Sequence, residues 1–347
     1  MSGSASAPAA AARPRLLVSR AVFPEAVAQL AAHFEVLCNA DDAEWTPGEL
    51  SERLTGCQAL LATAGEPITA ALLDAHPGLR AVCLMTVGFN NVDVAACEAR
   101  GVLVTNAPGV LTETTADLGF ALMMAAARRL GEAERYVREG RWTKWGFDLL
   151  IGRDIHGSTL GILGMGRIGQ AIARRGALGF GMNVMYHNRS RLPAEEEAPL
   201  GARYVDKATL LRESDHLVLV LPYTPQNRHA IGAAELALMK PTATLTNVAR
   251  GGIVDDLALA RALREGKLAA AGLDVFETEP EVPAELRALD NVVLLPHIGS
   301  ATEVTRRRMV GRAVDNLIAA FTGGEPPTPV SPAVRDAWRA RWATAGT

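Results

Sequence analysis

The sequence has little cysteine, few aromatic residues and almost no net charge. Its four cysteines form no C-x-x-C pair, which argues against a structural zinc site or a disulfide framework and predicts reduced core residues. Lys and Arg total 35 against 38 Asp and Glu, so the basic excess of a nucleic-acid-binding protein is missing. No apolar run reaches the roughly 18 residues of a membrane span. These absences predict a cytoplasmic protein with no metal, membrane or nucleic-acid partner.

A full globular core is expected, because 49% of the residues are hydrophobic and the length suits about two domains. Residues 1–14 are small and polar, and they are predicted to form a disordered tail; a transit peptide stays open because this stretch lacks acidic residues. Residues 331–347 are interpreted as a C-terminal tail that either packs as a short helix or frays.

Short apolar runs alternate with helix-period segments from Arg15 onward. After a long helical stretch over 112–140, a second series of six strands begins near Thr159. Alternation of this kind predicts parallel sheets covered by helices on both faces. We therefore expect an α/β fold with two doubly wound, Rossmann-like parallel-sheet domains and a cleft between them, with the chain end returning to the first domain.

A glycine-rich turn lies between a predicted strand and an amphipathic helix, at Gly164-Met-Gly166-Arg-Ile-Gly169. In a dinucleotide-binding turn Gly164 would allow the sharp bend and Gly166 would admit a pyrophosphate. Gly169 would let the helix pack closely on the strand. The alternative is a glycine-rich turn that binds no ligand.

The end of the next strand selects between cofactors. NAD-binding proteins usually carry an acidic residue there, whereas this chain has Asn188-Arg189-Ser190-Arg191. Two guanidinium groups and a hydroxyl would bind a 2′-phosphate. The loop therefore favours NADP over NAD, although NAD stays possible, and a solvated basic surface loop is the alternative.

Three polar residues follow later strands, at the edge where ligands of open α/β sheets bind. Among the seven histidines, His297 is the catalytic candidate because it follows the strand Asn-Val-Val-Leu-Leu-Pro. Arg250 could bind a carboxylate and polarise an adjacent carbonyl. Glu279 could hold His297 by a charged hydrogen bond and keep a proton available for transfer.

The first domain adds Thr86-Val87-Gly88-Phe89 at one of its own strand ends. The backbone N–H groups of Val87 and Gly88 could bind a substrate carboxylate. The alternative is an ordinary strand–loop–helix turn in which Asp93 caps the helix.

Over residues 15–330 the chain resembles the D-isomer-specific 2-hydroxyacid dehydrogenases. The match rests on Thr86–Phe89, on the glycine turn with Leu163, and on three later segments, which are Asn247-Val-Ala-Arg-Gly-Gly252, Gly272-Leu-Asp-Val-Phe-Glu-Thr-Glu-Pro280 and Pro296-His-Ile-Gly-Ser300. Residues 110–117 and the basic loop point to the glyoxylate/hydroxypyruvate reductase and 2-ketogluconate reductase branch. Thr86 replaces a common Ser, a change expected to be harmless.

The resemblance implies reduction of a small 2-oxo acid (glyoxylate, hydroxypyruvate or 2-keto-D-gluconate) by NADPH, with Arg250, Glu279 and His297 as the active site. It implies a substrate domain of residues 15–111 plus 300–330 and an NADP-binding domain of residues 112–299. It also implies a homodimer joined near the aromatic segment 142–147. The predicted cofactor-binding residues are Thr112, Gly164, Gly166, Arg167, Ile168, Gly169, Asn188, Arg189, Ser190, Arg191, Leu221, Pro222, Val248, Ala249, Asp274 and Gly299.

Other activities of the same superfamily stay open, namely oxidation of phosphite or of another D-2-hydroxy acid. Formate oxidation is disfavoured because Glu279 stands where Gln would be expected. A nucleotide-sensing binding protein similar to transcriptional corepressors is the alternative outside enzymes, and the absence of long extensions argues against it.

Overall fold

The chain forms two compact units in a computed structural model that describes residues 12–342. One unit comprises Met1–Val110 with Glu303–Thr347, and the other comprises Leu111–Thr302. Each unit is built on an all-parallel sheet with helices, so the predicted α/β class with two parallel-sheet domains is confirmed.

Within residues 12–110, five strands and four helices alternate. They are β1 (Arg15–Val18), α1 (Pro24–Ala31), β2 (Glu35–Cys38), α2 (Pro47–Leu54), β3 (Ala59–Ala62), α3 (Ala70–Ala75), β4 (Ala81–Leu84), α4 (Val94–Ala99) and β5 (Leu103–Thr105). The strands pair in the order β2-β1-β3-β4-β5, so winding reverses at β1 as in a doubly wound sheet.

Local sequence explains these elements. Every residue of β3 (Ala-Leu-Leu-Ala) and β4 (Ala-Val-Cys-Leu) is buried, because both faces of a parallel sheet are covered. Helix starts carry side-chain caps: the Glu49 carboxylate accepts a 2.8 Å hydrogen bond from the Thr46 N–H, and Asp93 accepts one of 2.9 Å from Ala96 N–H.

The second unit, residues 111–302, contains seven parallel strands and eight α-helices. They are α5 (Thr112–Ala127), α6 (Leu130–Arg138), β6 (Thr159–Leu163), α7 (Arg167–Arg174), β7 (Asn183–His187), α8 (Ala194–Glu197), β8 (Arg203–Tyr204), α9 (Lys207–Glu213), β9 (His216–Leu219), α10 (Ala233–Leu236), β10 (Thr244–Asn247), α11 (Asp256–Arg264), β11 (Ala270–Leu273), α12 (Ala284–Arg287) and β12 (Val292–Leu294). The sheet order is β12-β11-β10-β9-β6-β7-β8.

Two elements of this unit differ from the prediction. The helix expected over 112–140 is two helices, because Arg129 adopts a left-handed φ of 54° between α5 and α6. A seventh strand, β8, pairs with β7 at the sheet edge. At two residues in length it has no alternation that a sequence pattern could reveal.

The chain then returns to the first unit in α13 (Glu303–Phe321) and α14 (Pro332–Trp342). Val334 and Trp338, four residues apart on one face of α14, are 0% and 8% exposed. Residues 332–342 are therefore a packed helix, which is the first of the two alternatives expected for this segment. Residues 1–11 of the predicted N-terminal tail, and 343–347 at the other end, lie outside the described residues.

Three of the four free cysteines are buried as expected, but Cys38 is exposed because it ends β2, an edge strand. Across residues 12–342 no helix has both the length and the apolar character needed to cross a bilayer. The same residues contain no group of three or more His, Cys, Asp and Glu side chains arranged to hold a metal ion.

Candidate active site

One edge of the second unit's sheet collects the predicted site residues. Because all seven strands run parallel, the segments after their carboxyl ends emerge together. Gly164, Asn188 and Asp274 directly follow β6, β7 and β11, while Arg250 and His297 each lie three residues beyond β10 and β12.

The turn from β6 to α7 places a different steric demand on each glycine. Gly164 has a φ of 105°, and a Cβ there would lie 2.8 Å from the Leu221 nitrogen. A Cβ on Gly169 would lie 2.3 Å from the Gly164 carbonyl oxygen, whereas one on Gly166 would meet nothing within 4 Å. The first and third glycines are thus required for folding, and the second leaves space before the helix start for a phosphate.

A cavity of about 870 Å³ lies beside this turn. Its lining includes seven of the predicted cofactor residues, which are Gly164, Gly166, Asn188, Arg189, Ser190, Leu221 and Pro222. The Asn188 Oδ1 accepts a 2.6 Å hydrogen bond from Met165 N–H and ties the basic loop to the glycine turn. The glycine cradle and the cavity fit the adenosine diphosphate half of a dinucleotide.

Arg191, predicted to bind the cofactor, is paired with a carboxylate of its own chain. Its Nε and Nη2 donate to the two oxygens of Glu197 at 2.9 and 2.7 Å. Glu197 is buried and also accepts from the Tyr186 hydroxyl; burial and this carboxylate together raise the pKa of Tyr186 to about 12. Arg191 neutralises an acid inside the loop, while the guanidinium of Arg189 is exposed and has no partner among residues 12–342.

His297 and Glu279 are in direct contact, as predicted. The His297 Nδ1 lies 2.7 Å from Glu279 Oε2, and Glu279 Oε1 accepts a 2.9 Å hydrogen bond from Phe276 N–H. The pKa of Glu279 is lowered, because the hydrogen bond and charge of His297 outweigh the opposing effect of partial burial. The ionised carboxylate can only accept, which places a proton on Nδ1 and leaves Nε2 for a ligand.

Arg250 interacts electrostatically with Glu279. Its Nη1 donates to the Ala249 carbonyl at 2.7 Å. Burial lowers its pKa and the Glu279 charge opposes that shift, but a guanidinium stays protonated at neutral pH. The planar group retains further donors for a carboxylate or carbonyl oxygen.

Asp274 is a predicted cofactor ligand, and both of its carboxylate oxygens accept hydrogen bonds from backbone N–H groups of this chain. They accept 2.8 Å hydrogen bonds from the Ile298 and Gly299 N–H groups, the two residues after His297. The side chain is 1% exposed, and burial raises its pKa. His297 has a left-handed φ of 53°, so Asp274 secures a strained turn that carries the imidazole.

Asn247 is a positioning residue that the sequence reasoning missed. Its Oδ1 accepts from Ala249 N–H at 3.0 Å, and its Nδ2 donates to the Arg250 carbonyl at 3.3 Å. The side chain is therefore part of the turn that presents Arg250. Its only sequence signal is the position of an Asn at a strand end.

The other predicted cofactor residues are dispersed. Arg167 and Ile168 begin α7, Thr112 begins α5, and Val248 and Ala249 are buried just before Arg250. The cavity lining contains further polar residues that no motif indicated, among them Lys207, Thr224, Gln226 and Asn227.

In the first unit, Val87 and Gly88 follow β4. Their carbonyl oxygens are occupied, Val87 by the Asn106 amide at 2.7 Å and Gly88 by the Thr86 hydroxyl at 2.9 Å. Within residues 12–342 the N–H groups of Val87 and Gly88 donate to no other group. Two adjacent unpaired donors are consistent with the predicted carboxylate site.

Residues 120–299 match the family "D-isomer specific 2-hydroxyacid dehydrogenase, NAD binding domain". The chain is 47% identical over 323 residues to a glyoxylate reductase of Thermococcus onnurineus, covering 92% of this chain and 96% of that protein. It is 48% identical over 325 residues to a glyoxylate reductase of Aeropyrum pernix, with coverage of 92% and 96%.

A solved structure is similar along most of the chain. It is the NADPH-dependent glyoxylate/hydroxypyruvate reductase of Sinorhizobium meliloti in complex with NADP and malonate. The TM-score is 0.83 at 38% identity, covering 92% of this chain and 97% of that one.

We predict that Asp274→Asn destabilises the protein and lowers its reductase activity. The new NH₂ group would face a backbone N–H, and losing that buried hydrogen bond costs about 1–3 kcal/mol. Denaturant unfolding and steady-state kinetics would measure both effects. Asp290→Asn, at an exposed ion pair with Arg135, is the matched control and should change neither. Unaltered stability and turnover in Asp274→Asn would contradict the assigned role.

Proposed function

The chain belongs to the D-isomer specific 2-hydroxyacid dehydrogenase family, and we propose that it reduces glyoxylate or hydroxypyruvate to the 2-hydroxy acid with NADPH. Membership makes it an NAD(P)-dependent oxidoreductase that reduces a small 2-oxo acid. The choice of substrate, the preference for NADPH and the roles of individual residues are the proposed part.

The observation that carries the proposal is the 2.7 Å contact between His297 and an ionised Glu279, at the strand ends that also carry Arg250. A carboxylate on Nδ1 stabilises the protonated imidazole and leaves Nε2–H as the acid. The reaction needs such an acid, because negative charge develops on the carbonyl oxygen of the substrate as carbon 2 is reduced.

The reduced nicotinamide, when bound, supplies the hydride to carbon 2. His297 Nε2 gives its proton to the carbonyl oxygen, and Glu279 stabilises the imidazolium before the transfer. Arg250 orients the substrate through its planar donors and polarises the same carbonyl. Gly164, Gly166 and Gly169 form the turn that binds the pyrophosphate of the cofactor.

Glyoxylate and hydroxypyruvate are the favoured substrates because the relatives reported above are named for reducing them. The sugar acid 2-keto-D-gluconate is the third candidate from the sequence. All three share the 2-oxo carboxylate that Arg250 would recognise, and they differ only beyond carbon 2.

The test is the loss of reduced-nicotinamide absorbance with NADPH and NADH in parallel, across these three acids. We expect turnover with NADPH on glyoxylate or hydroxypyruvate. A clear preference for NADH would contradict the cofactor assignment alone, whereas no turnover with either cofactor would contradict the proposed activity.

The control for this assay is His297→Ala. Loss of the acid should lower turnover by about two to four orders of magnitude and leave NADPH binding, followed by fluorescence, intact. His33→Ala, an exposed histidine of the first unit, should match the unaltered enzyme. Loss of NADPH binding in His297→Ala would refute its role as the acid.

The preference for NADPH is assigned chiefly to Arg189. We predict that Arg189→Ala raises the KM for NADPH about tenfold and leaves the KM for NADH nearly unchanged, since one charge-assisted hydrogen bond to the 2′-phosphate is lost. Arg191→Ala should instead weaken both cofactors, because it leaves buried Glu197 without its cation. Equal effects of Arg189→Ala on the two cofactors would contradict the assignment.

We also propose a homodimer that covers the exposed segment around Trp145 and Phe147. These side chains are 76% and 90% exposed and contact each other at 6.2 Å between ring centroids. An apolar patch of this kind marks an interaction surface. Phe147→Asp should shift the sedimentation coefficient to that of a monomer. Leu257→Asp, at a half-exposed residue of α11 outside this segment, should not. A monomeric unaltered protein would contradict the proposal.

A further inference from the structure

The two loops that carry Arg250 and Glu279 touch through their backbones. A Cβ on Gly251 would lie 1.6 Å from the Phe276 carbonyl oxygen and 2.8 Å from the Glu277 nitrogen. No side chain fits between the loops, so their relative placement depends on hydrogen bonds that flank this contact. A shift there would move the Arg250 guanidinium relative to the His297–Glu279 pair.

His229 bonds to both loops. Its backbone N–H donates to the Gly252 carbonyl at 2.7 Å, and its Nε2 lies 2.9 Å from Glu277 Oε2. One residue therefore joins the segment after Arg250 to the segment before Glu279. This part of the chain, between β9 and α10, carries none of the proposed catalytic residues.

Charged neighbours hold Glu277 in place from two further directions. Arg228 donates to Glu277 Oε1 from Nε and Nη2 at 3.0 and 2.7 Å. The backbone N–H of Glu277 donates to the buried carboxylate of Asp256 at 3.0 Å. The pKa of Glu277 is lowered, because the hydrogen bonds from His229 and Arg228 outweigh the opposing effect of burial.

The backbone of His229 is in an unfavourable conformation for its residue type. Its φ is 53°, a left-handed value that is less favourable for a residue with a side chain than for glycine. The position would be more stable as Gly if the backbone alone mattered. The contact of the imidazole with Glu277 offsets this cost in the folded protein.

We infer that His229 and Glu277 are positioning residues that hold the Arg250 loop against the Glu279 loop in the geometry needed for 2-oxo acid reduction. The inference rests on the function proposed above. Neither side chain is assigned contact with substrate or cofactor; both act through the placement of Arg250. The clamp should therefore affect the 2-oxo acid more than the nicotinamide cofactor.

The test is His229→Gly, because it removes the imidazole, relieves the left-handed strain and keeps the backbone N–H to Gly252. We expect kcat/KM for the 2-oxo acid to fall about 10- to 100-fold, as small displacements of a catalytic group do. The KM for NADPH should stay within about twofold. The inhibition constant of oxalate, a dicarboxylate that cannot be reduced, should rise with the KM of the substrate.

Glu277→Gln tests the other half of the contact. If the two side chains act through one bond, the double variant His229→Gly/Glu277→Gln should lose no more activity than the worse single variant. Arg135→Gln opens an exposed ion pair of the same unit and is the matched control, expected to leave all constants unchanged. Thermal unfolding of each variant separates a positioning effect from loss of fold.

Three outcomes would overturn the inference. If His229→Gly leaves kcat/KM for the 2-oxo acid unchanged, the inference is wrong and the proposed function still stands. The same holds if kcat/KM falls together with the unfolding temperature. An unaltered enzyme that reduces no 2-oxo acid would remove the proposed function and this inference together.

Discussion

Parallel pairing of the strands is the constraint on which the candidate site depends. Because β6, β7, β10, β11 and β12 all end at one edge, residues far apart in the chain meet there without any loop spanning the sheet. The strands are buried and form the apolar core, so the polar side chains of the site lie in the segments that follow them. The packing that forms the sheet therefore also positions the residues of the site.

Beyond the strand ends, short contacts between loops determine where each side chain lies. Asp274 ties the turn after His297 to β11, and the closeness of Gly251 to Phe276 ties the Arg250 turn to the Glu279 loop. A buried carboxylate with two N–H donors is costly to disturb, since each unmet donor would remain away from water. These contacts fix the positions of His297 and Arg250 before any ligand is bound.

Contacts with other segments also distinguish the two arginines of the basic loop, Arg189 and Arg191. From the sequence they looked alike, and both were expected to meet a phosphate. In the fold, Arg191 pairs with Glu197, a carboxylate six residues away in α8. Only packing of that short helix against Tyr186 buries the acid and draws Arg191 to it. Arg189, two residues earlier, is exposed and has no such partner among residues 12–342.

The alternation of strands and helices, the glycine turn and the residue types at the strand ends could all be predicted from the sequence, because these follow from local periodicity and sterics. The proximity of His297 and Glu279 could also be predicted, since both follow strands of one parallel sheet. Which charges are paired inside the protein depends on the tertiary structure. Burial and partner choice arise from contacts between distant segments, as for Arg191, Asp274 and His229, and no local pattern encodes them.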